Sequence, residues 1–543
     1  MNTHEYDAIV VGSGAGGTAT AYRLILGGLR VALLEKGSHL PDDGSTLDIR
    51  RVVHGGEFLS REAWLDGSGR TVVPEEHFNV GGKTKWYGAA LLRFAEHEFA
   101  PDVAHGCAGW PIELRDLAPY YAEAERLLGV RTFECEPDLA RIVARVAPSR
   151  SQRASRAETE LMPADRASRA ESEHMPADRA SRAESEHMAG RAPTGTGGWQ
   201  AQPMPMGLAD EILMHPAEAA HFDGFASARG LKGEAERSML ALVRNSPRFT
   251  LETGAEVVQL IGRPGMPRAV EGVRLADGRE LRAPRVFLAA GALHSPRLLA
   301  RYLDAAGLMH ELPAARHVGR HLKLHLLTAM VSLSPSRKLD VIRKTIVLTN
   351  ERFPHSSVQP LGFDGELIGT LIPSFVPGFL RTALGERAYG FFLQTEDGSH
   401  ADNRVRESAL IEGGTVPVLD YDERRQPQAL REHRAFTRAF QIALGKAGML
   451  SFTKRIGLAG TAHACGSLRC GASPADSVVD AQGRVHGMSG LHVVDGSILP
   501  RSSRVNPSLS IYAWGLRVGD LVAQQFASEQ QWPARVQEVA NVG

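Results

Sequence analysis

The chain has 543 residues, 43% hydrophobic and 23% charged, the make-up of a globular protein too long for one ordinary domain. With 62 Lys+Arg against 62 Asp+Glu the net charge is zero, which argues against a general nucleic-acid binder, since that needs a basic surface to displace counterions. The four cysteines, Cys107, Cys135, Cys465 and Cys470, form no C-x-x-C pair, so a disulfide scaffold, a zinc ribbon, a common iron–sulfur cluster and c-type haem all lack their signatures, and no metal is expected.

The opening MNTHEYDAIVVGSG carries no basic, signal-like stretch, and no run of the chain approaches the roughly 18 apolar residues of a membrane span. A cytoplasmic protein without a membrane span is the expectation. Tyr6 to Val11 reads as a strand buried on both faces, followed by a glycine turn, a helix over Thr18 to Leu26 and a second strand over Arg30 to Leu34. From Arg153 a 13-residue repeat begins: RASRAETELMPAD, then RASRAESEHMPAD, then a truncated third copy. Its Arg, Ala, Glu and Ser cannot bury enough apolar surface to offset ordering entropy, so it reads as an insertion without chemistry.

Glu234 to Val243 then reads as helix, Thr250 to Leu260 as strand, and Val286 to Ala290 as a short strand ending at Gly291. Strand-like stretches, Lys344–Leu348 and Tyr389–Leu393 among them, fill the region from Leu326 to Val418. Arg431 to Ala447 is helical, Leu491 to Val494 is a strand, and Ser508 to Gln525 makes a final helix. Alternating strands and helices at both ends with strand-rich sequence between them imply an α/β protein: a Rossmann-like nucleotide-binding domain built from discontinuous segments, plus a sheet-containing substrate-binding domain.

Gly12, Gly14 and Gly17 have the G-x-G-x-x-G spacing between a strand and a helix. The first allows a tight turn, the second lets a pyrophosphate approach the backbone, and the third lets the helix pack on the strand. Glu35 ends the next strand, where a carboxylate can accept from a ribose diol. NAD and FAD share this fingerprint, and the single copy favours electrons arriving directly from an organic substrate. Phe78-Asn79-Val80-Gly81-Gly82-Lys83-Thr84 and Ala289-Ala290-Gly291-Ala292-Leu293-His294-Ser295 are further glycine loops. The C-terminal block runs His463-Ala464-Cys465-Gly466-Ser467, then Asp495-Gly496-Ser497, then Asn506-Pro507.

Together VVGSGAGGTATAYRL with LLEKG, NVGGKTKWYGAALLRF, VFLAAGALHSPRLL, VGRHLKLH and HACGSLRCG…SGLHVVDGSILP…NPSLSIYAWGLRVGDLV resemble, nearly end to end, the glucose–methanol–choline (GMC) family of FAD-dependent oxidoreductases, bacterial choline-dehydrogenase-like branch. The resemblance implies an enzyme that oxidises a small-molecule alcohol by hydride transfer to flavin N5. The electron acceptor is left open among oxygen, a quinone and a partner protein. It implies His463 as the base and Asn506 beside it. It places cofactor contacts at Gly12, Gly14, Ala15, Gly17, Glu35, Gly81, Gly82, Val258, Ala290, Gly291, Asp495, Gly496, Asn506 and Pro507. It divides the chain into an FAD-binding part with a flavin-covering loop (1–147), the repeat insertion (148–192), a second FAD-binding part (193–330), a substrate-binding domain (331–455) and a C-terminal FAD-binding part with the catalytic pair (456–543).

The chemistry of the residues agrees. Oxidising CH–OH needs an acceptor for the hydroxyl proton, and a neutral imidazole serves at pH 7. Asn506 can hold the oxygen. His492, alternating with apolar strand residues, reads as structural; His325 in VGRHLKLH matches a recurrent family His and stays open between a structural role and that of next candidate for the base after His463. Trp86 stands where some members attach FAD through His, so FAD is expected without a covalent bond there. Lys83-Thr84-Lys85 replaces a commoner small polar triplet. A flavin-containing lyase on the same scaffold, without net redox, is the alternative activity.

Overall fold

The strands Ala8–Val11, Val31–Glu35, Phe249–Thr253, Val286–Leu288 and Leu491–Val493 form one sheet, all parallel, with Ala8–Val11 in its centre between Val286–Leu288 and Val31–Glu35. Four of the five are short apolar runs buried throughout, as a parallel sheet covered on both faces requires; Phe249–Thr253, at the edge, is only half-buried. Its strands come from both ends and the middle of the chain, as expected of a nucleotide-binding domain in pieces. The computed structural model describes residues 5–148, 198–372, 374–409 and 414–540, the last ten as backbone only. Apart from Pro148, the repeat insertion lies outside the described residues.

The helix Ala15–Leu26 crosses from the first strand to the second and packs against the last helix, Ser508–Ala540. That packing is a backbone contact. A Cβ on Gly16 would fall 1.7 Å from the Val494 carbonyl oxygen, and one on Gly515 would fall 2.5 Å from the Gly16 oxygen. A Cβ on Gly17 would fall 2.0 Å from the Gly12 oxygen, which is the helix–strand packing role of the third fingerprint glycine.

A second sheet of six strands runs Leu450–Arg455, Leu326–Leu333, Ala388–Thr395, Ser356–Pro360, Ile346–Asn350, Trp199–Pro203, every pair antiparallel. The helices Pro137–Val146 and Pro427–Lys446 bury one face of it through Leu139, Ile142, Phe436, Phe440 and Leu444, against Val358, Phe391 and Leu393. The expected division at 193–330 and 331–455 cuts through this sheet, since Trp199–Pro203 is its edge and Leu326–Leu333 an inner strand. The strand expected over Thr250 to Leu260 is two strands in two sheets: Phe249–Thr253 stays in the parallel sheet, and Val257–Arg263 starts a three-stranded antiparallel one. Gly254, with φ +68°, makes the break, a backbone conformation side chains disfavour.

Gly16→Ala should cost about 3 kcal/mol of unfolding free energy, because the added methyl would meet the main-chain carbonyl of Val494, which no side-chain rotation can move away. Urea unfolding reads this as a lower midpoint at unchanged slope. Gly14→Ala, whose methyl meets nothing within 4 Å, should leave the midpoint in place. Equal midpoints for Gly16→Ala and the parent would contradict this packing.

Candidate active site

The carboxyl ends of the parallel strands open onto one cavity of about 660 Å³. This is where open α/β sheets bind ligands. Gly12, Gly14 and Ala15 line it, and the N-terminus of the helix Ala15–Leu26 faces it with its unpaired N–H groups. The side of Gly14 where a Cβ would stand is empty, so a phosphate can approach that backbone. Glu35, Gly82, Val258, Ala290, Gly291, His463, Asp495, Gly496, Asn506 and Pro507 line the same cavity. Of the residues expected at the cofactor, Gly17 and Gly81 do not line it. Gly17 is spent on packing, and Gly81 donates its N–H to the Ser13 hydroxyl at 3.0 Å.

Two carboxylates fix the floor of the cavity. Glu35 accepts from the Ser13 N–H (3.0 Å), the Ser13 hydroxyl (2.5 Å) and the Gly37 N–H (2.9 Å), which ties the fingerprint loop to the second strand. A carboxylate has about four acceptor positions, so about one remains for a ribose hydroxyl. Asp495 accepts from the Gly291 N–H (2.8 Å), the Ser497 N–H (2.9 Å) and the hydroxyls of Ser295 and Ser497. Burial raises its carboxyl pKa, and these donors pull the other way. It therefore pins the C-terminal turn onto the Gly291 loop.

In the wall of the same cavity, Nδ2 of Asn506 stands 3.4 Å from Nε2 of His463. His463 packs edge-on against His325, ring centroids 5.0 Å apart. Burial, then the charges of His325, Lys344 and Lys83, hold the His463 pKa well below the ordinary 6.5, so its imidazole is neutral at pH 7. His325 has φ +63° and bonds through Nε2 to the carbonyl of Ser503, itself at φ +68°. Behind them Arg501 pairs with Glu396 at 2.6 Å, and Ser503 donates to Glu98 at 2.6 Å. These bonds fix the segment that leads to Asn506. His492 lies away from the cavity, stacked on Phe287 at 4.8 Å.

Sequence reasoning missed several wall residues. Lys344 pairs with Asp223 at 2.9 Å, both lining the cavity, and Phe363 and Phe392 add aromatic surface. No spacing rule flags them, because they sit singly on strands and loops. The buried Lys232 holds the Asp223 segment by donating to the carbonyls of Tyr87, Phe222 and Phe225 at 2.6–2.8 Å. Burial lowers its pKa to about 7. Trp86 lines the cavity, stacks on His77 at 4.6 Å and donates to Asn79 at 3.0 Å. Of the lysines beside it, Lys83 pairs with Glu76 and Lys85 with the buried Glu234. His105, His355 and Glu432 bring ligand-type atoms within 4.8 Å of one another outside this cavity. Their histidine rings stack 3.6 Å apart and bond to Glu396, which makes them part of the network behind Arg501.

A phosphate-ready helix end, a carboxylate at the second strand and a long cleft leading to a polar pair are what FAD requires, and these residues fit it. Residues 401–515 match a family model described as GMC oxidoreductase, and residues 7–41 match one described as FAD binding domain. The chain is 30% identical to 6'''-hydroxyparomomycin C oxidase of Streptomyces lividus, over 97% of this chain and 92% of that one. It is 29% identical to paromamine 6'-oxidase of Streptomyces fradiae, over 96% and 93%. In fold it is similar to a formate oxidase from Aspergillus oryzae RIB40, with a TM-score of 0.58 at 15% identity, covering 97% of this chain and 100% of that one. The chain thus belongs to the GMC family of oxidoreductases, as an FAD-dependent enzyme that oxidises CH–OH groups.

Proposed function

We propose that this enzyme oxidises a polar, hydroxyl-rich alcohol with His463 as the proton acceptor and Asn506 as the group that orients the hydroxyl. The observation that carries the reading is the 3.4 Å approach of Asn506 Nδ2 to His463 Nε2 in the wall of the cavity that the fingerprint loop enters. An alcohol oxygen set beside the pair, within hydrogen-bond reach of both nitrogens, would accept from Asn506 Nδ2 and donate to Nε2. FAD, held by the glycine loop and Glu35, would supply the two-electron acceptor for the hydride. The O–H proton goes to His463 as the C–H electron pair leaves, and the carbon becomes a carbonyl. Asn506 also opposes the negative charge that develops on oxygen.

The wall and the relatives both support a substrate class. Asp223 and Lys344 offer a carboxylate and an ammonium, and Phe363 and Phe392 offer flat apolar faces, a set suited to an amino sugar or a polyol. The relatives named above as oxidases of paromamine and 6'''-hydroxyparomomycin C support the same class. We assign the parallel-sheet segments to cofactor binding and the six-stranded sheet, its edge strand Trp199–Pro203 included, to substrate binding.

His463→Ala should slow anaerobic flavin reduction by roughly 10²–10⁴-fold with FAD still bound, the usual general-base contribution. Asn506→Ala should slow the same step, and His492→Ala should affect stability more than rate. Because burial disfavours the imidazolium, the base form persists as pH falls, and the acid limb of kcat/KM should lie below the ordinary His value of about 6.5. Parent-rate reduction in His463→Ala would overturn the assignment. Trp86 offers no nucleophile for attachment, so acid precipitation should release the yellow flavin into the supernatant. Colour held in the pellet on a flavinylated peptide would contradict a non-covalent cofactor.

A further inference from the structure

Alternate residues of a strand take opposite faces of a sheet. Along Ser356–Pro360, Val358 enters the apolar core under the helix Pro427–Lys446, so Ser357 and Gln359 take the other face. There they meet the C-terminal segment. The Ser357 hydroxyl donates to the carbonyl of Arg504 at 2.6 Å, and the fully buried Gln359 donates from Nε2 to Oδ1 of Asn506. Oε1 of Gln359 and Nδ1 of His463 are both buried without a hydrogen bond among the described residues.

An amide has one accepting end and one donating end. With Oδ1 of Asn506 taken by an N–H, its NH₂ end faces His463. Two N–H groups repel when set face to face, so Nε2 of the neutral imidazole carries the lone pair and Nδ1 the proton. Nδ1 has no partner among the described residues that would make this choice instead. If Gln359 turned over, Asn506 would turn with it, Oδ1 would face His463, and the proton would move to Nε2. That state would exchange the orphaned Oε1 of Gln359 and N–H of His463 for an orphaned N–H of Gln359 and a bare Nδ1, one donor and one acceptor either way, so the tautomer turns on which end Gln359 presents to Asn506, and in this structure that end is the Nε2 donor.

We propose that Gln359 is a positioning residue for the oxidation: through Asn506 it selects the Nδ1–H tautomer of His463 and keeps Nε2 free to accept the hydroxyl proton. The proposal rests on the reading of His463 as the base. The tautomer itself is read without substrate, by ¹⁵N NMR of the histidine-labelled, FAD-loaded enzyme at neutral pH, with His463 assigned by its loss in His463→Gln. The parent should show Nδ1 protonated and Nε2 bare. Gln359→Met, of similar length but without a donor, should average the two states. Asn506→Asp, which presents only oxygens, should put the proton on Nε2. A protonated Nε2 in the parent, or spectra unchanged in both variants, would overturn the relay.

Kinetics separate this proposal from the reading beneath it. With paromamine as the probe, Gln359→Met should slow flavin reduction about tenfold in the parent and less than about twofold in an Asn506→Ala background, because a residue that acts through Asn506 has nothing left to act on. Equal factors in both backgrounds would reduce Gln359 to packing. Parent-rate reduction in His463→Ala would instead remove the base assignment, and the NMR tautomer would still decide the relay.

Discussion

The Val494 carbonyl lies against Gly16, so close that no side chain can stand between them. This contact seats the C-terminal segment on the glycine loop of the N-terminus. Asp495, the next residue, then reaches the Gly291 N–H and the Ser295 hydroxyl, and its own turn delivers the chain toward Asn506. The cofactor cleft and the candidate catalytic pair are thereby built by one docking event between the two ends of the chain. Packing and placement are the same interaction here, and loosening it would disturb both.

The second sheet supplies what the docking cannot. Its apolar face is buried under two helices, which fixes the register of every strand, because a slip of one residue would exchange the faces. The opposite face therefore presents Ser357, Gln359, Phe392 and Gln394 with no freedom to rearrange. Gln394 donates to the Arg504 carbonyl at 2.7 Å, and Gln359 holds Asn506. Burying polar groups is costly unless they are bonded, and here the bonds from the two NH₂ ends, which hold the candidate catalytic segment from behind, offset part of that cost, while Oε1 of Gln359 and of Gln394 has no partner among the described residues. The strained backbones of His325 and Ser503, bonded to each other, lie in the same region. Strain of this kind persists only where the surroundings over-determine it.

Much of this was legible in the chain because some functions demand a fixed local pattern. The spacing of Gly12, Gly14 and Gly17 asks for a small residue at each for a separate reason; in the structure the Cβ side of Gly14 is open and Gly17 packs against the Gly12 oxygen. His463 and Asn506 could be named together only through the family resemblance, since no local spacing joins residues so far apart. Gln359 left no trace, because a strand's outward face is read from which residues become buried, and Lys344 and Asp223, both outside the strands, were not singled out as a pair because only the fold brings them together. Glu35 reads in the sequence as a ribose ligand; its bonds to Ser13 and Gly37, which only the fold shows, take up most of its acceptor capacity and leave about one position for a ribose hydroxyl. Gly254 split an expected strand because one left-handed residue redirects a chain that its apolar pattern alone would continue.

Whether an alcohol reduces the bound flavin is the most direct test. The measurement is the visible absorbance of the holoenzyme, mixed without oxygen with paromamine and a panel of polyols, with the carbonyl product quantified. The account predicts bleaching and one carbonyl formed per flavin reduced. Product formed with the flavin left oxidised would point to a lyase. A flavin that dithionite bleaches and none of these alcohols does would contradict the polar substrate class assigned to the cavity.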